Sequence, residues 1–341
     1  MFAAQCGARR VIGVDCSSIV HMAQKIVKRN GLDDIVQLRQ ARVEELTPAF
    51  LGLAEGELVD VVISEWMGYG LYFENMFSSV IVARDRFLKG YSSIPDSVFS
   101  GEKGVMMPAE ASLFIEAASF SKPLNDASIS ASGVCRYADP LGAGYDKWSG
   151  DRVGFWRDVY GLDMSDLAPL HYHEAQVDRL EPADLISDRT LFHRLDLAVA
   201  TNKELDFVAP FRIQITRSEI LAVFAITFDV LFSGMHTVVP LSTSVSDKDT
   251  HWKHTLLWLS PENRPSAPVN AGDTVTGSVR YQRMKENKRD YQITVRWNVN
   301  RLSGADLGST EDVSKVEAIH DTPSQKMKSV FAHQQIFFLC A

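Results

Sequence analysis

Two glutamates frame the segment with the clearest chemical potential, SEWMGYGLYFENM at residues 64–76. Glu65 and Glu74 stand at the two ends of a loop that carries Gly68 and Gly70. Carboxylates held near one another raise each other's proton affinity unless a cation sits between them. A guanidinium suits that place, because it is planar, offers paired donors and stays charged at ordinary pH. Glu74 is expected at the start of a helix running to about Leu88, where the helix dipole favours an ionised carboxylate. The alternative is a pair of solvated loop acids with private ion pairs. A further acid, Asp15, closes the strand VIGVD (11–15). Parallel sheets bind ligands at the carboxyl ends of their strands, and both Asp15 and Glu65 fall there. In nucleotide-binding folds such an acid holds ribose hydroxyls about 20 residues after a Gly-rich turn. Counting back from Asp15 places that turn before Met1. Asp15 as a plain polar strand end and helix cap remains the rival reading.

The elements that must position these acids alternate over residues 1–120. MFAAQC reads as the last turns of a helix closed by Gly7, so sequence upstream of Met1 is expected. After VIGVD, Ser17 or Ser18 can cap a helix with an apolar stripe at Ile19, Met22, Ala23, Ile26 and Val27, ended by Gly31. IVQLRQ (35–40) reads as a strand, and LVDVVIS (58–64) as a strand buried on both faces. The βαβ order implies a doubly wound parallel sheet. In the second half, the segments at 211–217, 221–232, 254–259, 273–281 and 291–299 alternate like strands of an antiparallel barrel or sandwich. Residues 160–190 read as helical or irregular. The stretches at 90–101 and about 120–145 are aperiodic, and read as surface loops or translated noncoding sequence.

The chain has 341 residues, which suggests two domains, and a net charge of −8 with 45% hydrophobic residues. That balance excludes global disorder and argues against nucleic acid as a direct partner. No stretch of apolar residues is long enough to span a membrane. Cys6, Cys16, Cys135 and Cys340 are widely spaced, as in a reducing compartment rather than a disulfide framework. No metal site is expected. His171 and His173 read as surface histidines, and His251 with His254 lacks completing ligands. GAG at 142–144 does not join a strand to a helix, so it is discounted as a nucleotide loop.

The residues also carry a resemblance. SEWMGYGLYFENM resembles the double-glutamate loop of protein arginine N-methyltransferases. THWKHTLLW (250–258) resembles their Thr-His-Trp loop, and VIGVD the strand after their Gly-rich turn. RVEEL (42–46) is similar to their adenine-contacting segment, and VYGLDMS (159–165) to the start of their barrel domain. The resemblance covers most of residues 1–300. It points to the asymmetric-dimethylating class, closest to the zinc-finger-bearing cytosolic branch, although this chain carries no such finger.

The resemblance implies an α/β plus β fold: a partial Rossmann-like S-adenosylmethionine-dependent methyltransferase domain followed by an antiparallel β-barrel. The implied boundaries are 1–158 for the cofactor-binding domain and 159–302 for the barrel substrate domain. A dimerisation arm is implied near 160–190, and an irregular tail over 303–341. S-adenosylmethionine is the implied cofactor, with Asp15 on its ribose, Val43 and Glu44 near its adenine, and Met76 and Ser79 lining its pocket. Glu65 and Glu74 would clamp a substrate guanidinium, with Met67 and Tyr69 shaping the pocket. His251 and Trp252 would close it, Trp252 as a wall rather than as barrel core. The implied activity is methyl transfer to arginine in proteins such as histones or RNA-binding and ribosomal proteins, by a homodimer of the cytoplasm or nucleus. The rival is a non-catalytic truncated homologue that acts only as a dimerising or interaction module.

Overall fold

The structure is a computed structural model that describes residues 1–91, 103–119, 155–233, 237–260, 263, 265, 268–301 and 331–340. The stretch at 120–145, the GAG triplet, Cys135 and nearly all of 90–101 lie outside the described residues.

The amino-terminal part follows the expected alternation. Helix α1 (Phe2–Gln5) ends at Gly7, whose φ of +95° is the left-handed conformation glycine adopts without penalty. Strand β1 (Val11–Asp15) leads into α2 (Ile19–Arg29) and β2 (Val36–Gln40). Strands β1 and β2 pair in parallel from Val11↔Val36 to Asp15↔Gln40. A short helix α3 (Pro48–Leu51) is capped by the Thr47 side chain and closed by Gly52. Strand β3 (Val61–Ile63) pairs in parallel with β4 (Val105–Met107), and α4 (Phe77–Phe87) lies between them in the chain. Two expectations fail here. Val61 and Ile63 are exposed, so β3 is not buried on both faces. Likewise α2 buries Val20 and Val27 but leaves Ile19, Met22 and Ile26 exposed. The reason is the same in both cases: β1–β2 and β3–β4 are separate two-stranded sheets among the described residues, so each covers little.

The carboxyl-terminal part is antiparallel. Strand β5 (Glu110–Ala118) pairs along one edge of β9 (Val223–Ser233) and along β7 (Thr190–Asp196). The other edge of β9 takes β11 (His254–Trp258) near its start and β10 (Val238–Ser242) near its end, and β6 (Gln176–Asp178) adds to β11. A second sheet has the order β14–β13–β12–β8, from β8 (Phe207–Gln214), β12 (Thr274–Arg283), β13 (Tyr291–Asn300) and β14 (His333–Leu339). Alternation explains their packing: Val275, Val279, Ile293, Val295, Trp297 and Phe337 all face a shared core and are fully buried.

Two boundaries move. The expected division after residue 158 places β5 in the cofactor domain, yet β5 is the central partner of β9. The tail over 303–341 is not irregular throughout, because β14 completes the second sheet through Trp297↔His333 to Tyr291↔Leu339. Its apolar alternation was overshadowed by the aperiodic residues before it. Residues 160–189, read as helical or irregular, are short 3-10 turns plus β6.

Candidate functional site

The double-glutamate segment is a tight, strained turn pinned to the antiparallel sheets. Gly68 and Leu71 exchange backbone hydrogen bonds at 2.9 and 3.0 Å. A Cβ on Gly68 would meet the Phe73 carbonyl oxygen at 2.1 Å, so only glycine fits. Gly70, Leu71, Glu74 and Asn75 all have left-handed φ values, of 55°, 73°, 72° and 53°. Such backbone costs about 1–3 kcal/mol at each non-glycine residue and persists only under outside support.

That support is aromatic. Tyr72 is buried and its ring lies 5.9 Å from Phe207 and Tyr281 and 6.2 Å from Tyr291. Its hydroxyl pairs with His193 Nε2 at 3.1 Å, and His193 stacks on Phe207 with centroids 3.7 Å apart. Burial holds the His193 imidazole neutral by lowering its pKa to about 4. Trp66 packs on Phe77 at 4.7 Å. The Tyr281 hydroxyl donates to the Gly70 carbonyl at 3.3 Å. None of Tyr72, His193, Phe207, Tyr281 and Tyr291 stands out by spacing in the sequence, since they converge from five separate elements.

Glu65 follows β3, and the backbone N–H of Ser64 donates to Met107 at the end of β4. Its carboxyl pKa is raised, first by partial burial and also by the charge of Glu74, while the opposing charge of His251 lowers it. The three expected catalytic side chains therefore share one electrostatic neighbourhood. Glu74 differs from expectation in its local structure. It lies in a kinked turn before α4 rather than in that helix, because its positive φ breaks the helical path.

His251 is exposed and lies 3.8 Å from the Trp252 ring. Trp252 departs from expectation: it is buried in the core, edge-on to Phe228 at 5.6 Å. Its indole N–H donates to the Met67 carbonyl at 2.7 Å, so it ties the antiparallel sheets to the loop rather than walling an open pocket. Met67 is itself buried, whereas Tyr69 is partly exposed and stacks on Phe73.

The expected cofactor residues fall into two groups. The Ser79 hydroxyl donates to Glu44 Oε1, which lowers the Glu44 pKa. Arg86 Nη1 donates to the Glu44 carbonyl at 2.7 Å, so the 43–45 turn is bound to α4 through Ser79 and Arg86. Val43 packs with Leu46, Leu51 and Phe87. Asp15 stands at the open end of β1, where Oδ1 accepts from the Ser17 N–H and hydroxyl at 2.7 Å and the pKa is lowered. Oδ2 has no partner among the described residues and can accept from a ligand hydroxyl. Ser18 occupies the N-cap position of α2 without a side-chain bond, so Ser17 is spent on Asp15. These groups fit a nucleoside: a carboxylate oxygen left over for ribose, and the apolar Val43 beside Glu44 for a base.

The other histidines have structural bonds. His171 accepts from Trp156 Nε1 at 2.7 Å, His173 pairs with the Ile336 carbonyl, and His254 Nδ1 accepts from the Leu180 N–H. Between β5 and β6 the chain exposes Phe155, Tyr160, Leu162, Met164, Leu167 and Leu170, an apolar group that the other described residues leave uncovered.

Fold and site together define an α/β half with parallel strand pairs joined to an antiparallel half that braces a loop with two acids. A family model described as the arginine methyltransferase oligomerization subdomain matches residues 143–303. Protein arginine N-methyltransferase 1 of Schizosaccharomyces pombe is 31% identical over 314 residues, covering 92% of this chain and 78% of that protein. Protein arginine N-methyltransferase 1.1 of Arabidopsis thaliana is 31% identical over 303 residues, covering 88% of this chain and 65% of that protein. The chain thus spans about two thirds to three quarters of the length of these relatives. Among solved structures, the Trypanosoma brucei PRMT1 enzyme-prozyme heterotetrameric complex with AdoHcy aligns with a TM-score of 0.70 at 26% identity, covering 100% of this chain and 84% of that one. Arabidopsis thaliana protein arginine methyltransferase 10 aligns at 0.66 with 28% identity, over 89% of this chain and 82% of that one. The chain belongs to the protein arginine N-methyltransferase family, and it carries the family's oligomerization subdomain.

Proposed function

We propose that this chain binds S-adenosylmethionine and transfers its methyl group to the guanidinium of arginine in protein substrates, as a member of the asymmetric-dimethylating class. The observation that carries the reading is the grouping of Glu65, Glu74 and His251, in which Glu65 feels both other charges. Asp15 would hold the ribose, and Val43, Glu44, Met76 and Ser79 would line the adenine side. When bound, the cofactor supplies an electrophilic methyl on a sulfonium.

The chain's own residues supply the rest. A guanidinium is a poor nucleophile because its lone pairs are delocalised. Ionised Glu65 and Glu74 draw positive charge toward the nitrogens they touch, and so leave density on the remaining terminal nitrogen. They also fix its direction, which is where most of the acceleration arises. Glu74 or His251 takes the proton released after transfer. Met67 and Tyr69 border the guanidinium, and Trp252 sets their height by holding the Met67 carbonyl.

The exposed apolar group from Phe155 to Leu170 supports a homodimer in which this arm docks on a second copy. The exposed α2 residues Ile19, Met22 and Ile26 are an apolar surface of matching character. A second reading, a dimerising module without catalysis, is favoured by the separate β1–β2 and β3–β4 sheets. Calorimetric titration of the purified 341-residue chain with S-adenosylmethionine, followed by transfer of labelled methyl to arginine and lysine versions of one peptide, decides between them. Micromolar cofactor binding with arginine-dependent labelling is the expected result. A folded dimer that binds no cofactor overturns the enzymatic reading.

A further inference from the structure

Glu74 is gripped at two points by one distant residue. Its Oε1 accepts from Arg289 Nη2 at 2.6 Å, and its backbone N–H donates to the Arg289 carbonyl at 2.9 Å. Arg289 is in turn fixed by its own hairpin turn between β12 and β13. Its N–H donates to Asn287 Oδ1 at 3.1 Å, Asn287 Nδ2 donates to Asp290 Oδ2 at 2.9 Å, and the Asp290 N–H donates to the Asn287 carbonyl at 3.0 Å. The hairpin stands on paired strands from Thr274↔Asn300 to Arg283↔Tyr291. Glu74 needs such an anchor, because its φ of 72° is one that a residue with a side chain keeps only under external restraint.

We propose that Arg289 is a positioning residue for the guanidinium clamp: it aims the Glu74 carboxylate and supplies a resident cation beside it. The assignment rests on the proposed arginine-directed function. A carboxylate offers about four acceptor positions on its two oxygens. Arg289 uses Oε1 through a single nitrogen, which leaves Oε2 to a substrate guanidinium. An internal arginine that merely filled the substrate place would present its two-nitrogen fork to the carboxylate. The observed contact is instead one nitrogen plus a main-chain bond, which is the geometry of a brace. Arg289 is mostly exposed, so the brace adds charge without sealing the loop.

The test uses the full 341-residue chain with S-adenosylhomocysteine present, and fluorescence anisotropy of a labelled arginine peptide and its lysine counterpart. Arg289→Ala is expected to weaken arginine-peptide binding about three- to fivefold, the range for a partly exposed ion pair. Arg289→Lys should recover part of that loss. In a Glu74→Gln background, Arg289→Ala should add no further loss, a coupling that a merely structural role would not produce. Thermal unfolding of each variant verifies that the compared proteins are folded. Arginine-dependent binding that Arg289→Ala leaves unchanged or tightens overturns the assignment alone. A parent chain that binds arginine and lysine peptides equally overturns the proposed function and the assignment with it.

Discussion

Replacing Trp252 separates the two jobs this side chain performs. Trp252→Phe keeps an aromatic ring against Phe228 but deletes the indole N–H that donates to the Met67 carbonyl at 2.7 Å. The carbonyl is then left in a buried place without its donor, which costs about 1–3 kcal/mol. Trp252→Ala also empties most of the ring volume, and removal of a large buried aromatic costs about 3–5 kcal/mol. The loop should respond to both changes, because Met67 sits two residues from Glu65 and the hydrogen bond fixes its height. Arginine-peptide affinity should therefore fall in both variants, while cofactor affinity, which we propose rests on Asp15 and the Glu44–Ser79 group, should stay near that of the parent. Chemical denaturation gives the stability differences, and calorimetry gives the two affinities in the folded fraction. If Trp252→Phe is as stable as the parent and binds arginine peptide equally well, the tie between Trp252 and the loop is wrong.

Three further changes follow from the same structure. Gly68→Ala would drive a Cβ to 2.1 Å from the Phe73 carbonyl oxygen, so soluble yield and arginine-peptide binding should both fall sharply; equal binding in a stable protein would refute the turn geometry. Glu116 is buried on β5 and its pKa is pushed up to about 7, chiefly by burial, with Arg189 opposing. A raised carboxyl pKa means the folded state holds a proton that the unfolded state releases, so stability should fall as pH rises from about 4.5 to about 7, by about 3 kcal/mol. Glu116→Gln should flatten that dependence in urea denaturation at several pH values. Glu65, whose pKa is also raised, must ionise to hold a guanidinium, so arginine-peptide affinity should drop on acidification at a pH above the ordinary glutamate range. Glu65→Gln should be weak at every pH and lack that dependence.

The strands β8, β9, β11, β12 and β13 were legible because they are long apolar or alternating runs, whereas the shorter β6, β7 and β10 were not read. Asp15, Glu44, Ser79, Glu65 and Glu74 were legible as chemical groups. Spacing paired Glu65 with Glu74 at the two ends of one loop, whereas their grouping with His251 came only from the resemblance. The misplaced residues share a physical cause. Periodicity reports which face is apolar, not whether anything covers it, so Val61, Ile63 and the Ile19–Met22–Ile26 stripe were read as buried. Trp252 was read by its chemistry beside His251, whereas its place is set by Phe228 and Met67 on other segments. β14 follows a long aperiodic stretch, and its role became visible only through its register with β13. Arg289 carried no signal at all, because its partner lies far along the chain.

The loop's braces have a consequence for how the protein is made. Trp252 reaches Met67 across 185 positions, Tyr281 reaches Gly70 across 211, and Arg289 reaches Glu74 across 215. At a synthesis rate of about 5–20 residues per second, the double-glutamate segment leaves the ribosome about 10–40 seconds before the groups that hold its strained backbone exist. During that interval Trp66, Tyr72, Phe73 and Phe77 have no antiparallel sheets to bury them. The nascent amino-terminal half is therefore a natural client for a holding chaperone, and codon changes that slow translation between residues 77 and 250 should lower soluble yield without altering a single amino acid.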